Sequence, residues 1–265
     1  MMAKPVLSPS PFEGKLAMDT GKTPVAILAD RVRHAKKVTV LTGAGVSVAS
    51  GVPTFRGEGG WWKHHRMEDL SSIDGFERNP RLVWEWYDLR RTQIAKCRPN
   101  RAHEVLALWS RRPGFTLVTQ NIDGLHERAG TRNVIRFHGS LWEVMCARGC
   151  ADSPPRWRDE TAPFPALPPP CPHCEGILRP AVTWFGEMID PGVLEASVNA
   201  TECDLFLMIG TSAAVYPAAG LVHEARARGA FTVEINPEPT PAADRVDLAI
   251  QAAAEAALDE AERLV

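Results

Sequence analysis

The chain is short of several things, and each shortage closes off a class of protein. Six of its 265 residues are cysteine, too few for the disulfide scaffold of a secreted protein this long. Thirty basic residues stand against 32 acidic ones, for a net charge of −2. That balance supplies no broad positive field for nucleic acid. No apolar run approaches the ~20 residues that cross a bilayer, so no membrane partner is expected. The first 23 residues lack the apolar stretch of a signal peptide and read as a flexible tail. Internal repeats are missing too. What remains is a 45% hydrophobic chain, long enough for one large domain or one with a small satellite. Its expected setting is the reducing cytoplasm.

Apolar strand-like runs alternate with helical stretches. Strands are expected near Lys37–Leu41, Phe115–Thr119, Val134–Phe137, Asp204–Ile209, Phe231–Ile235 and Asp247–Ile250. Helices fit Pro24–Lys36, Pro80–Cys97, Asn100–Arg111, Tyr216–Arg228 and Ala252–Leu264, with Pro80 a good start and Gly229 a good stop. Strands without clean alternation, separated by helices, argue for a parallel sheet covered on both faces. Residues 152–170 are too rich in proline for either element.

Most of the strands end in small or polar residues. The first runs into Thr42-Gly43-Ala44-Gly45, the second into Gln120-Asn121-Ile122-Asp123, the third into His138-Gly139-Ser140. The fourth ends in Gly210-Thr211-Ser212 and the fifth in Asn236. In open parallel sheets ligands bind beyond the carboxyl ends of strands, so a nucleotide-sized ligand is expected there. Gly43 and Gly45 let the backbone approach a diphosphate, with a short helix from near Val46 aiming its N–H groups at it. The dinucleotide fingerprint then breaks off: Val48 stands where its third glycine belongs, and no acidic residue ends a strand about 20 residues on. Glu234 or Asn236 is left to hold the ribose, and hydride-transfer geometry is disfavoured. Phe55-Arg56 reads as a shield and a charged clamp, or as an ordinary core Phe and surface Arg.

Cys146-x3-Cys150 and Cys171-x2-Cys174 form two knuckles separated by 20 residues. Four thiolates leave a tetrahedral Zn²⁺ no open position, so one structural ion per chain is expected. The longer first knuckle makes His173 a conceivable substitute ligand. Cys97 and Cys203 read as core or surface thiols.

The helix "RLVWEWYDLRRTQI" carries a cation out of place. At about 100° per residue, Leu82, Val83, Trp86, Tyr87, Leu89 and Ile94 form an apolar arc. Arg90 projects into its middle, with Glu85, Asp88 and Arg91 outside. A buried guanidinium needs an anion: an internal acid, or a substrate carboxylate that Tyr87 and Arg90 would grip together.

"GAGVSVASGVPTFRG", "TQNIDGLH", "FHGS", "VTWFGE", "GTSAAVYPAAG" and "EIN", in that order, resemble the sirtuin family of NAD-dependent protein deacylases over nearly all of Ala35 to Leu258. The resemblance implies a Rossmann-like α/β domain (24–60, 100–141 and 181–265) holding NAD as co-substrate. A small helical and zinc module (61–99 and 142–180) would close over it. It implies that Gly43, Ala44, Gly45, Thr54, Phe55, Arg56 and Trp62 contact NAD. Gln120, Asn121, Ile122 and Asp123 would orient its ribose and carboxamide. Gly210, Thr211, Ser212, Asn236, Pro237, Glu238 and Ala254 would line the phosphate and adenosine end. His138 would be the general base and Asn121 its catalytic partner. The acyl oxygen would attack the ribose as nicotinamide leaves, giving free lysine and O-acyl-ADP-ribose. Val182, Trp184, Phe185, Gly186 and Glu187 would hold the substrate backbone as an added strand. The Tyr-x-x-Arg pair resembles the branch that removes succinyl, malonyl or glutaryl groups from protein lysines. A mainly deacetylating enzyme, a non-catalytic NAD or ADP-ribose sensor and a mono-ADP-ribosyltransferase stay open.

Overall fold

The computed structural model describes residues 21–52, 61–62 and 65–265. Most of the expected tail and the loop residues Thr54, Phe55 and Arg56 lie outside them. Helix α1 (Pro24–His34) is capped by the Thr23 hydroxyl, which accepts from the Ala26 amide, and leads into β1 (Val38–Thr42). A 3-10 helix, Ala44–Ser50, follows and ends at Gly51 in the left-handed region. Two short strands, β2 (Trp61–Trp62) and β3 (His65–Arg66), pair as a hairpin. Helices α2 (Met67–Leu70), α3 (Ile73–Arg78), α4 (Pro80–Lys96) and α5 (Arg101–Trp109) come next. The chain then runs through β4 (Phe115–Thr119), α6 (Leu125–Arg128) and β5 (Val134–Arg136). Strands β6 (Gly139–Cys146), β7 (Trp157–Arg158) and β8 (Leu178–Val182) form a separate sheet. Last come α7 (Pro191–Asn199), β9 (Leu205–Ile209), α8 (Leu221–Ala227), β10 (Phe231–Ile235), β11 (Leu248–Ile250) and α9 (Ala254–Leu264).

The main sheet has the order β11-β10-β9-β1-β4-β5, every pair parallel. Its central strands are buried along their whole length, which is why they read as apolar runs without alternation. Successive side chains still point to opposite faces. Val40, Leu117 and Leu207 join a core with α1, α5 and α9, while Leu41, Val118 and Met208 join a second core with α8. The expected α/β fold with helices on both faces is present.

The smaller sheet is antiparallel, in the order β7-β6-β8. With α4 it encloses a third core that includes Val83, Trp84, Trp86, Tyr87, Val144 and Leu178. This sheet departs from the sequence reading, in which His138-Gly139-Ser140 only follows the third strand and no strand is placed at β6 or β8. Gly139, at φ +79°, opens β6 instead and pairs with Val182. A Cβ there would lie 2.2 Å from the Ala181 carbonyl oxygen, so only glycine lets the two strands approach. The expected helix at Tyr216–Arg228 is also shorter: its first turn, Ala218–Gly220, is 3-10 and α8 proper begins at Leu221. No helix among the described residues is long and apolar enough to cross a membrane.

Candidate active site

Strand order reverses at β1, with β4 and β5 on one side and β9 to β11 on the other. A parallel sheet opens its ligand crevice at such a switch point. Here the turns after β1 and β9 interlock, the Gly45 amide donating to the Gly210 carbonyl at 2.8 Å. A Cβ on Gly43 would stand 2.8 Å from that oxygen, and one on Gly45 2.7 Å from the Gly210 Cα. Ala44 and Ser212 are half-buried beside the turns. The helix expected from Val46 is the 3-10 turn, with Val46 itself buried. Gln120 Nε2 donates to Thr211 Oγ1 at 2.9 Å, and Asn236 Nδ2 to the Thr211 carbonyl at 3.3 Å. The ends of β1, β4, β9 and β10 thus meet. Pro237 and Glu238 are exposed at the rim, and Ala254 is buried in the first turn of α9. Glu234 is not free to hold a ribose: it is buried, and its carboxylate accepts from the Thr240 hydroxyl at 2.6 Å and amide at 3.2 Å.

The loop after β4 is tied to the glycine turn by Asn121 Nδ2, which donates to the Gly43 carbonyl at 3.0 Å and Ser47 Oγ at 3.3 Å. Asp123 is buried and accepts from Ser47 Oγ and the Leu125 amide, each at 2.8 Å. Burial raises its pKa, while those bonds and the field of Arg90 oppose the rise. Ile122 is half-buried, and its carbonyl accepts from the Leu141 amide at 2.8 Å.

His138 follows β5, and its Nδ1 lies 3.1 Å from the Gln120 carbonyl. A carbonyl only accepts, so Nδ1 carries the proton and Nε2 keeps its lone pair. Burial holds the imidazole pKa below its ordinary value, partly offset by that bond. The group is therefore neutral, and able to take a proton, at neutral pH. The His138 carbonyl accepts from the Thr183 amide at 3.0 Å, joining His138 to residues 182–187.

That segment folds back on itself. Arg179 grips Glu187 through both carboxylate oxygens, at 2.7 and 3.0 Å. Glu187 also accepts from the Trp184 amide at 2.8 Å. Val182 ends β8, Trp184 is buried, and Phe185 stays exposed. Gly186 adopts φ +86° in the turn.

Helix α4 corrects the arc read from sequence. Tyr87 is fully buried and Arg90 half-buried, but Arg91 and Asp88 are buried as well and Leu89 is exposed. The helix is enclosed on two sides. On the second side Arg91 donates from Nη1 to the Leu141 carbonyl at 2.6 Å and from Nε to the Thr161 carbonyl at 3.0 Å. Its Nη2 reaches Asp159 Oδ1 at 2.8 Å. Asp88 accepts from the Phe164 amide. Arg90 lies over the Trp86 ring, 5.3 Å from its centroid. Burial lowers its pKa, while Tyr87 and Asp123 favour the charged form.

The thiols of Cys146, Cys150, Cys171 and Cys174 all lie within 4.8 Å of one another, with Cys146–Cys174 at 3.7 Å and Cys150–Cys171 at 3.9 Å. Zn–S bonds of about 2.3 Å require tetrahedral edges of about 3.8 Å, so the four sulfurs fit the ion. His173 is not among the clustered ligand atoms, and its ring meets Trp157 edge-on.

Three groups escaped the sequence reading: Ser47, His103 and His126. Both histidines are buried, their rings 4.8 Å apart beneath Ser47 and Thr42. Their only sequence signal is a histidine set among apolar residues in "AHEVLAL" and "GLHERA".

A glycine-lined switch point, an imidazole at its edge and a four-thiolate module together define an α/β dinucleotide-site protein braced by zinc. The Sir2 family model matches residues 43–217, and the chain belongs to that family. A curated relative, NAD-dependent protein deacylase 1 of Caldanaerobacter subterraneus subsp. tengcongensis, is 46% identical over 227 residues, 85% of this chain and 92% of its own. The crystal structure of a Sir2 homolog–NAD complex superposes with a TM-score of 0.82 at 40% identity, covering 89% of this chain and 91% of that one. A Sir2 protein with a deacetylated peptide and 3'-O-acetyl-ADP-ribose gives 0.79 at 28% identity, over 89% of this chain and 96% of its own.

Proposed function

We propose that this chain is an NAD-dependent protein-lysine deacylase that favours acyl groups ending in a carboxylate, succinyl and malonyl above acetyl. The relatives' names and the NAD and peptide complexes of its structural neighbours support the first half. When bound, NAD supplies a ribose carbon that nicotinamide can leave and an acyl oxygen can attack. The chain's own residues do the rest. Gly43, Ala44, Gly45, Gly210, Thr211 and Ser212 cradle the phosphates, with Asn236, Pro237, Glu238 and Ala254 at the adenosine end. Gln120, Asn121, Ile122 and Asp123 orient the ribose and carboxamide, under a cover formed by Thr54, Phe55, Arg56 and Trp62. His138 accepts a proton from a ribose hydroxyl at Nε2. Val182 to Glu187 pair with the substrate backbone through main-chain bonds. Cys146, Cys150, Cys171 and Cys174 hold a structural zinc, in keeping with a reducing, cytoplasmic setting.

One observation carries the acyl preference. Tyr87 and Arg90 sit one turn apart on α4, the phenol buried and the guanidinium 5.3 Å from the Trp86 ring centroid. A carboxylate-tipped acyl chain reaching toward His138 would end near a phenol and a guanidinium. The test incubates one peptide, bearing acetyl- or succinyl-lysine, with NAD and follows nicotinamide by mass spectrometry. Wild type should favour succinyl. Arg90→Met should lose about ten- to hundredfold more kcat/KM on succinyl than on acetyl, the worth of a charge-assisted bond. Equal losses on both peptides sink the preference.

A further inference from the structure

Trp184 touches the acyl-end pair in a way that the motif containing it did not suggest. Its indole N–H donates to the Tyr87 hydroxyl at 2.8 Å, across 97 residues of sequence. The indole is fixed on its other side, since the Arg179 guanidinium lies 3.8 Å from its centroid. Arg179 is itself locked to Glu187, and Glu187 accepts the Trp184 amide. Phe76 packs on the ring at 5.2 Å, and the next residue, Phe185, donates its amide to the Ser71 carbonyl at 2.8 Å. The donor therefore comes from a braced loop and meets a phenol that is fully buried.

A phenol has one proton and two lone pairs, whereas an indole N–H only donates. The Tyr87 proton therefore cannot point at Trp184. It is left for another acceptor, either the neighbouring Ser71 hydroxyl or a group arriving beside Arg90, which stands one turn further along the same helix. Between a hydroxyl and a carboxylate, the charged acceptor forms the shorter and stronger bond.

We propose that Trp184 is a positioning residue for acyl selectivity, filling a lone pair of Tyr87 so that the phenolic proton is presented to a carboxylate at the acyl end. The Arg179–Glu187 pair holds Trp184 in place for this. The inference rests on the carboxylate-preferring reading above and adds the group that orients its tyrosine. A neutral acetyl group gains nothing from the orientation, so the effect belongs in the ratio of the two activities.

The experiment is a double-mutant cycle on the succinyl-to-acetyl ratio of kcat/KM. Trp184→Phe keeps an aromatic ring and deletes the N–H; it should lower the ratio about two- to tenfold, the span expected for one neutral hydrogen bond. The loss should lie mainly in KM for the succinyl peptide. In a Tyr87→Phe background the same change should leave the ratio where Tyr87→Phe alone put it. A second route, should Trp184→Phe fold poorly, is Glu187→Gln, which loosens the clamp without altering the indole. It should shift the ratio the same way and likewise lose its effect without the phenol. An unchanged ratio in the single variants overturns the proposal. So does a shift that persists undiminished in the Tyr87→Phe background, which would assign Trp184 to packing alone. A wild-type enzyme with no succinyl preference removes the parent reading as well, while a preference lost in Arg90→Met and kept in Trp184→Phe removes only this inference.

Discussion

The two halves of the molecule are stabilised in different currencies. The parallel sheet is held by two continuous apolar cores, one on each face, with its central strands β1, β9 and β10 buried from end to end. The smaller sheet shares one mixed core with α4, and much of its order comes from discrete anchors. Four thiolates stand at one end, and Arg91, buried among the carbonyls of Leu141, Asp159 and Thr161, at the other. Arg91 also stacks against Trp142 and Phe164. Loss of one apolar contact is shared out among many neighbours, but loss of one ligand or one buried cation is not. The candidate site lies on the seam, where Gly139 and Val182 pair and the His138 carbonyl receives the Thr183 amide.

Removing the metal is the strongest way to break this comparison. Structural zinc contributes on the order of 10 kcal/mol in small domains. Cys171→Ser should reduce bound zinc far below one per chain and abolish deacylation. Amide exchange should rise across β6 to β8 and stay slow in β1, β4, β9 and β10. Equal exchange in both sheets would mean that the halves do not differ in this way.

His138→Ala tests the seam itself. General-base catalysis contributes about 10²- to 10⁴-fold, so nicotinamide release coupled to deacylation should fall by that factor. The melting temperature and zinc content should hold. Wild-type-like turnover would take the base role away from His138. In the intact enzyme the acidic limb of the pH–rate profile should lie below the ordinary imidazole value, because burial depresses the pKa of His138.

Acid probes the sheet side more gently. Burial lowers His103 and His126 to about 3, from 6.5. Both are neutral in the fold, while the unfolded chain takes up protons below pH 6.5. Their contribution to stability is therefore complete above pH 6.5 and is lost as pH falls toward 3. The slope is about 1.4 kcal/mol per pH unit for each histidine. Denaturant midpoints measured from pH 7 to pH 5 should fall accordingly, and a double substitution to asparagine should flatten the curve. A wild-type curve already flat over that range would contradict neutral burial.

The same contrast separates what could be read in the sequence from what could not. Phe115–Thr119 and Phe231–Ile235 are strands where the apolar runs place them, because a strand covered on both faces must be apolar throughout. The glycine turn, the histidine of "FHGS" and the cysteine knuckles are legible because each depends on a few residues of special chemistry close together. Strand β8, which contains Pro180, carries no such local signal; its antiparallel partner β6 imposes it. Arg90 and Arg91 look alike in sequence, and helical periodicity ranks Arg91 the more exposed. The order reverses because α4 is covered on a second side by residues 159–164, about 70 positions away.

The sequence by itself determined a parallel α/β sheet, a nucleotide crevice at its strand ends, a four-thiolate module and an imidazole between them. Local periodicity and short motifs carry all of these. Only the tertiary structure decided which cation lies buried among carbonyls, that Glu234 is spent on Thr240, and that an indole N–H meets the Tyr87 hydroxyl. Those outcomes depend on contacts between distant segments, and burial converts each such contact from a weak preference into an obligatory pairing.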